Sequence, residues 1–395
     1  VSGSRRAVIV RRGWAEAIAL GLAAALGVMI GATAVAFTVA RRVVTPFTKR
    51  LADTEVREID RDAQTITLTK TTDTVLPGRY GLFVNGSRSY LKLGAVVRKD
   101  DTAVTRKLLT HVGPTDLIGR DATFSGWYFD HASQLHLPYE DVEIPSPVGP
   151  CPAWYFPAQG GAGSTWVVAV HGRGTTRSEV LRAVPVFRDA GLSTLAISYR
   201  NDGEAPPSQS GRYGLGATEW RDVDAAIAYA RERGASRVVL MGWSMGGAIA
   251  LQTALNTDHS DVIAGLILES PVVDWRIVLD HQARALRIPS AVSHLAKRQL
   301  TVRSWSRVVR AGDPISLDDL DLVRRADELE QPVLILHSDD DGFVPSGASR
   351  ALAEARPDLV ELDIYSEARH TKLWNYDEAR WSNRIRRWLS EKITP

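Results

Sequence analysis

At 395 residues the chain is long enough to bury a large core, and one large domain with additions is expected. Charge is nearly balanced, with 48 Lys and Arg against 46 Asp and Glu, and no basic cluster is interleaved with aromatics, which argues against a nucleic-acid surface. Cys151 is the sole cysteine, so no intrachain disulfide can form, although that alone does not fix the compartment.

Residues 1–50 read as an N-terminal tail and a transmembrane anchor. Residues 17–40 carry no charge. As a helix they would span about 36 Å, enough to cross a bilayer. Trp14 stands near one end as an interface anchor would, and Arg41-Arg42 closes the other. The run is long for the apolar core of a signal peptide, and arginines follow its small-residue sites directly. Arg5, Arg6, Arg11 and Arg12 precede the span; Arg41, Arg42, Lys49 and Arg50 follow it. The positive-inside count is therefore tied. The cost of translocating a tail with four arginines favours a cytoplasmic N-terminus, with the remainder outside the cytoplasm.

Residues 51–138 change texture. Short stretches such as 64–69 and 90–93 alternate in polarity, and Pro77-Gly78, Asn85-Gly86 and Gly113-Pro114 punctuate them. A small β-rich region is predicted. His131 and His136 lack acidic or cysteine partners at metal spacing, and packing or surface roles are expected for both.

From residue 139 to 395 the pattern is a hairpin pair, 139–145 and 153–156, then alternating strands and helices. Buried-type strands are predicted at 165–170, 193–198, 238–241, 263–268, 332–336 and 359–365. Amphipathic helices are predicted at 178–190, 218–233, 246–255, 347–355 and 377–392. Such alternation predicts an α/β fold, a mostly parallel sheet covered on both faces. Residues 272–328 break the rhythm after the sixth strand and read as a helical lid over the carboxyl edge of the sheet.

The chemistry concentrates at Gly242-Trp243-Ser244-Met245-Gly246, between an apolar run and a helical pattern. This strand–turn–helix order is that of a nucleophile elbow. Glycines flank the serine because the turn is too tight for side chains. The pentapeptide alone is common, so partners must decide. An acid is sought after the strand 332–336, where Asp339, Asp340 and Asp341 adjoin. Asp341 is preferred, four residues before Pro345 in a motif of the H-G-x-x-D-x-x-V-P type; Asp339 is the second choice and Asp274 a distant third. The base candidate is His370, in the loop before the last helix; His171 and His337 compete but sit at strand ends suited to packing. The order Ser244, Asp341, His370 is the one expected of this triad type. Two oxyanion donors are sought: the N–H of Met245, following the serine, and that of Arg173 in His171-Gly172-Arg173-Gly174, with Gly174 next. Residues 211–216 resemble a phosphate loop only loosely, because they do not follow a strand.

These motifs, together with the stretches 198–203 and 217–224 and the His370…Trp374-Asn375 pattern, resemble the α/β-hydrolase superfamily over residues 139–395. Within it they are similar to actinobacterial membrane-anchored members akin to lysophospholipase- and dipeptidyl-peptidase-like groups. The resemblance implies an eight-stranded sheet, a serine nucleophile and neither metal nor organic cofactor. It implies acyl transfer from a carboxylic ester, small or lipid-like, with peptide or thioester substrates and acyltransfer as alternatives on the same triad. It leaves residues 1–138 uncovered and the oligomeric state open. A non-catalytic membrane-tethered binding module on this scaffold is the competing class, and residues 51–138 could themselves bind a cell-envelope partner.

Overall fold

The computed structural model describes residues 3–47, 50–160, 163–309 and 312–393, with side chains described from residue 20 onward, Val309 excepted. Trp14 and the four early arginines therefore lie outside the described side chains, and Lys49 lies outside the described residues.

Helix α1, Gly3–Val44, extends beyond the predicted span at both ends. It contains the one segment among the described residues that is long and apolar enough to cross a membrane, Leu20–Val44, with mean hydropathy 2.1. Its threonines do not interrupt it: the Thr33 and Thr38 hydroxyls donate to the Met29 and Ala34 carbonyls one turn back, at 2.8 and 3.1 Å. Residues 20–31 are exposed, whereas Ala36, Ala40 and Val44, four apart, are fully buried. That spacing makes one stripe, and the stripe packs on the main body.

Six strands follow: β1 Thr54–Asp60, β2 Thr65–Thr69, β3 Tyr80–Val84, β4 Ser89–Lys99, β5 Ala103–Leu108 and β6 Asp121–Ser125. They close into an antiparallel barrel in the order β1-β2-β5-β4-β3-β6, with β6 pairing back on β1. Closure removes free sheet edges. The alternation of 64–69 places Ile66 and Leu68 in the barrel core, with Tyr80, Leu82, Leu93 and Phe124. Arg106 is also buried there. Its guanidinium donates to the carbonyls of Thr74, Leu76, Gly78 and Gly94 at 2.7–3.0 Å. Burial lowers its pKa to about 10, and the four acceptors offset the cost of burying the charge. The loop between β2 and β3 is thereby fixed from inside. His131 accepts from the Ser133 N–H at the start of a short 3-10 turn, and His136 ends that turn in the left-handed region, so both are structural.

The main body is an eight-stranded sheet. Its strands are β7 Glu140–Ser146, β8 Gly149–Phe156, β9 Thr165–Val170, β10 Ser193–Ile197, β11 Arg237–Trp243, β12 Ile263–Glu269, β13 Val333–Ser338 and β14 Val360–Tyr365. Their order is β14-β13-β12-β11-β9-β10-β8-β7, parallel except at β8 and β7. The central strands are buried beyond the half-buried first residues of β9 and β11, as strands covered on both faces should be. The covering helices are α2 Val184–Asp189, α3 Trp220–Glu232, α4 Met245–Asn256, α8 Gly347–Ala355, the single turn α9 Leu373–Tyr376 and α10 Glu378–Lys392. One expectation fails in detail. The predicted helix 178–190 is a 3-10 turn, Arg177–Ala183, followed by the separate α2. Pro185 lacks the N–H an uninterrupted helix would need and sits in the first turn of α2, where none is required.

The segment after β12 is helical: α5 Trp275–Ala285, α6 Ser290–Thr301 and α7 Arg303–Val309. Helix α6 is the main packing partner of α1, and Gln299 Nε2 donates to the Thr33 carbonyl at 3.4 Å. Helix α5 crosses to the loop after β13, where Gln282 Nε2 donates to the Phe343 carbonyl at 2.8 Å.

Candidate active site

Strand β11 and helix α4 meet at Ser244, whose φ of 53° and ψ of −117° fall where an L-residue is strained. The turn is held from several sides. The Ser244 N–H donates to the Glu269 carbonyl at 3.0 Å, and the Ser244 carbonyl accepts from Gly247 and Val272, both at 3.0 Å. A Cβ at Gly242 would strike the backbone of Gly246, and one at Gly246 the carbonyls of Val170 and His171, so the elbow closes only with glycine at both places. Beneath it the buried Glu269 carboxylate accepts from the indole N–H of Trp243 at 3.0 Å and of Trp381 at 2.8 Å. Trp243 is thus a packing residue under the serine.

His370 lies in the loop between β14 and α9. Its Nε2 is 2.9 Å from Ser244 Oγ and its Nδ1 is 2.7 Å from Asp341 Oδ2. Asp341 is fixed by the turn after β13, its Oδ1 accepting from the N–H groups of Phe343 and Val344 at 2.9 and 2.8 Å. Burial pushes its carboxyl up, but the adjoining His370 and His337 outweigh that and hold it well below the usual carboxylate range. The side chains of Ser244, His370 and Asp341 therefore form one unbroken chain; of the competing residues only His337 touches it, its Nε2 3.4 Å from Asp341 Oδ2. Asp339 is paired with Arg350 at 2.7 Å, and Asp274 caps α5 by accepting from the Arg276 N–H at 2.8 Å. His337 is buried against Ser349 and the Val344 carbonyl. His171 is buried between Asp202, at 3.1 Å, and the ring of Tyr199.

The loop after β9 abuts the elbow: a Cβ at Gly172 would lie 3.3 Å from Ser244 Cβ. The Gly172 N–H is already engaged by the buried Glu179 carboxylate at 2.7 Å, and the Gly174 N–H by the Tyr213 hydroxyl. Arg173 N–H is left between them. Met245 opens α4, so it has no earlier helical turn to donate to, and the helix dipole adds to its N–H. The Arg173 side chain turns away from the serine. Its Nη2 donates to the carbonyls of Arg42 and Thr45, at 2.6 and 3.3 Å, where α1 ends, and its guanidinium lies over the Phe47 ring.

Several supporting residues have no motif of their own. Glu179 and Asp202 pin the loop after β9 from inside the fold. Asp73, from the barrel, pairs with Arg369 at 3.2 Å and Lys372 at 3.0 Å, on either side of His370. Arg79 and Asn375 exchange backbone and amide hydrogen bonds across the same seam. A carboxylate facing such contacts across 300 residues leaves no local periodicity to read. The loop 211–216 binds its own anion: the N–H groups of Gly214 and Gly216 donate to the buried Glu219 carboxylate at 2.6 and 2.9 Å. Among the described residues, no group of three His, Cys, Asp or Glu side chains is placed to hold a metal.

Comparison with known proteins agrees with this fold. A family model described as a domain of unknown function (DUF8805) matches residues 55–125, the barrel. The carboxylic ester hydrolase LipN of Mycobacterium tuberculosis is 29% identical over 147 residues, 36% of this chain and 38% of that protein. The quorum-quenching protein AidA of Acinetobacter baumannii is 32% identical over 140 residues, 34% of this chain and 44% of that protein. The chain thus spans less than half the length of either curated relative. The Pyrococcus furiosus esterase Pf2001 shares the fold, with a TM-score of 0.53 at 16% identity, covering 67% of this chain and 94% of that one. The model of the alpha/beta hydrolase family matches residues 167–384, more than half of the sequence, including Ser244, Asp341 and His370, and the chain belongs to that family.

Proposed function

We propose that this chain is a membrane-anchored serine hydrolase that cleaves carboxylic esters, lipid-like ones among them, with Ser244 as nucleophile, His370 as base and Asp341 as orienting acid. What carries the reading is the continuous Asp341–His370–Ser244 hydrogen-bond chain, 2.7 and 2.9 Å long, on a strained elbow. The ester-hydrolase names of LipN and Pf2001 point to the same bond class.

Ser244 Oγ attacks the ester carbonyl carbon as its proton passes to His370 Nε2. Asp341 holds the other ring nitrogen and favours the imidazolium that forms. The N–H groups of Met245 and Arg173 receive the developing oxyanion, each worth about 3 kcal/mol in such sites. Collapse of the tetrahedral intermediate expels the alcohol, which takes the proton from His370. Water, deprotonated by His370, then attacks the acyl-enzyme and releases the acid. The anchor is assigned to α1, whose Leu20–Ile30 stretch presents apolar side chains outward all round.

The test is covalent labelling of the full chain by a fluorophosphonate, alongside hydrolysis of p-nitrophenyl esters of graded chain length and of aminoacyl anilides. Labelling and ester hydrolysis that both vanish in Ser244→Ala are the expected result. Undiminished hydrolysis in that variant overturns the triad, and preference for the anilides overturns the ester assignment.

A further inference from the structure

The contact between α1 and the lid sets how deep the catalytic body can sit. A hydrocarbon layer of about 30 Å takes about 20 helical residues. If residues 17–40 filled it, Thr33 would lie about 12 Å below the plane of Arg41. Gln299 of α6 donates to the Thr33 carbonyl, and α6 packs along α1. The end of α6 would then be pulled into hydrocarbon, together with the exposed Arg298 and the start of α7. Arginines at that depth are costly. The structure removes the conflict by beginning the buried stripe of α1 at Ala36, with Ala32 and Thr33 already half-covered. The 20 residues before Thr33, 13–32, carry Glu16 as their one charge, and they can fill the layer instead.

The membrane surface then falls at Thr33, beside the end of α6, and α7, which follows α6, also touches α1. Trp305 and Val308 of α7 are three apart and fall on one face, and the exposed Val302 precedes the helix. Trp305 and Val308 are 37% and 60% exposed. Arg303 and Arg307, four apart, lie on the other side of α7; they and Arg298 of α6 are exposed and pair with no described carboxylate. An outward apolar strip containing tryptophan, with arginines on the opposite face, has the composition of a helix lying in the headgroup region.

We propose that the end of α6 and helix α7 are a membrane footing. Trp305 and Val308 enter the headgroup–acyl boundary of the leaflet next to Thr33, and Arg298, Arg303 and Arg307 engage lipid phosphates there. The occupant is a bilayer leaflet containing anionic phospholipid. The inference rests on α1 being the membrane span. It places a bilayer against the lid, whose helix α5 reaches the acid loop at Gly342 and Phe343, and the Phe343 ring packs 5.2 Å from that of His370.

The experiment uses the full chain in phosphatidylcholine–phosphatidylglycerol vesicles. A single fluorophore is attached at Trp305→Cys, Val308→Cys, Val28→Cys or Leu117→Cys. The native Cys151 is buried and its thiol is pushed up to about 11, so it stays unlabelled. Lipids carrying a nitroxide in the headgroup region or deep in the acyl chain serve as quenchers. The labels at 305 and 308 should lose fluorescence to the headgroup nitroxide, the label at 28 to the deep one, and the label at 117, on the barrel, to neither. Quenching at 305 and 308 should weaken in Arg303→Gln/Arg307→Gln and in vesicles of phosphatidylcholine alone. If the label at 28 is quenched while those at 305 and 308 behave like the one at 117, the footing is overturned and the anchor stands. If the label at 28 escapes quenching as well, the anchor itself is overturned.

Discussion

Asp73 of the barrel lies 3.0 Å from Lys372 Nζ, two residues beyond His370, and 3.2 Å from Arg369 Nε, one residue before it. The barrel thus grips the loop that carries the proposed base. Arg106, inside the barrel, fixes the neighbouring segment 74–78 through its carbonyls, so the grip is backed by a rigid support. Asp73→Asn removes both ion pairs while keeping the side-chain shape. Because the pairs are partly exposed, about 1 kcal/mol of loop positioning is at stake. We expect kcat for a soluble ester to fall about fivefold, with KM and the melting temperature nearly unchanged. Steady-state kinetics and thermal denaturation check this; an equal loss in both observables would mark Asp73 as a residue of general stability.

Arg173 makes a second link of this kind. Its guanidinium ties the proposed oxyanion loop to the last carbonyls of α1. Arg173→Met keeps the backbone N–H and most of the stem but removes both hydrogen bonds. The N–H then loses its fixed aim, and kcat should drop about tenfold, a fraction of what deleting a donor costs. Affinity for a trifluoromethyl ketone, whose adduct carries the oxyanion, should fall in proportion to kcat/KM. Unchanged ketone affinity would refute the role.

Asp341 should leave a signature in stability as well as in rate. Its carboxyl is held below its unfolded value, so the stability it contributes is complete above about pH 4 and is lost as pH falls further. Asp341→Asn should therefore show a stability deficit that is constant near neutrality and shrinks below about pH 4. Urea denaturation at a series of pH values measures it, and a deficit independent of pH counts against the assignment. At neutral pH the same variant should lose about 10⁴-fold in kcat, because the imidazole loses its fixed tautomer.

Ser244 occupies backbone angles that suit glycine. Ser244→Gly should abolish activity yet raise stability by about 1 kcal/mol, since the strain of the elbow disappears. A lower melting temperature in this variant would show that the serine side chain supports the turn.

Much of the main body is legible in local sequence. Strand β9 is marked from end to end by its apolar run, and the family fold follows from strand–helix alternation and the elbow. The choice among three adjacent aspartates reduces to the spacing from Asp341 to Val344 and Pro345, which corresponds to a turn in which the carboxylate caps two N–H groups. The barrel was legible only as alternation. Its closure depends on β1 meeting β6 some 60 residues later, and no local pattern encodes such a partner. Glu179, Asp73 and the link made by the Arg173 side chain escaped for the same reason: their partners are distant, and a charged side chain looks solvated until the fold surrounds it. The break of the predicted helix 178–190 was visible in Pro185.

Phe47 lies against Gly174, and the last turn of α1 receives the Arg173 side chain. Cleavage of the chain between Thr45 and Leu51 would leave a body with a complete sheet but with the outer wall of its proposed oxyanion loop gone. On the proposed anchoring, shedding from the membrane and loss of turnover would be a single event, which would confine activity to the place of tethering.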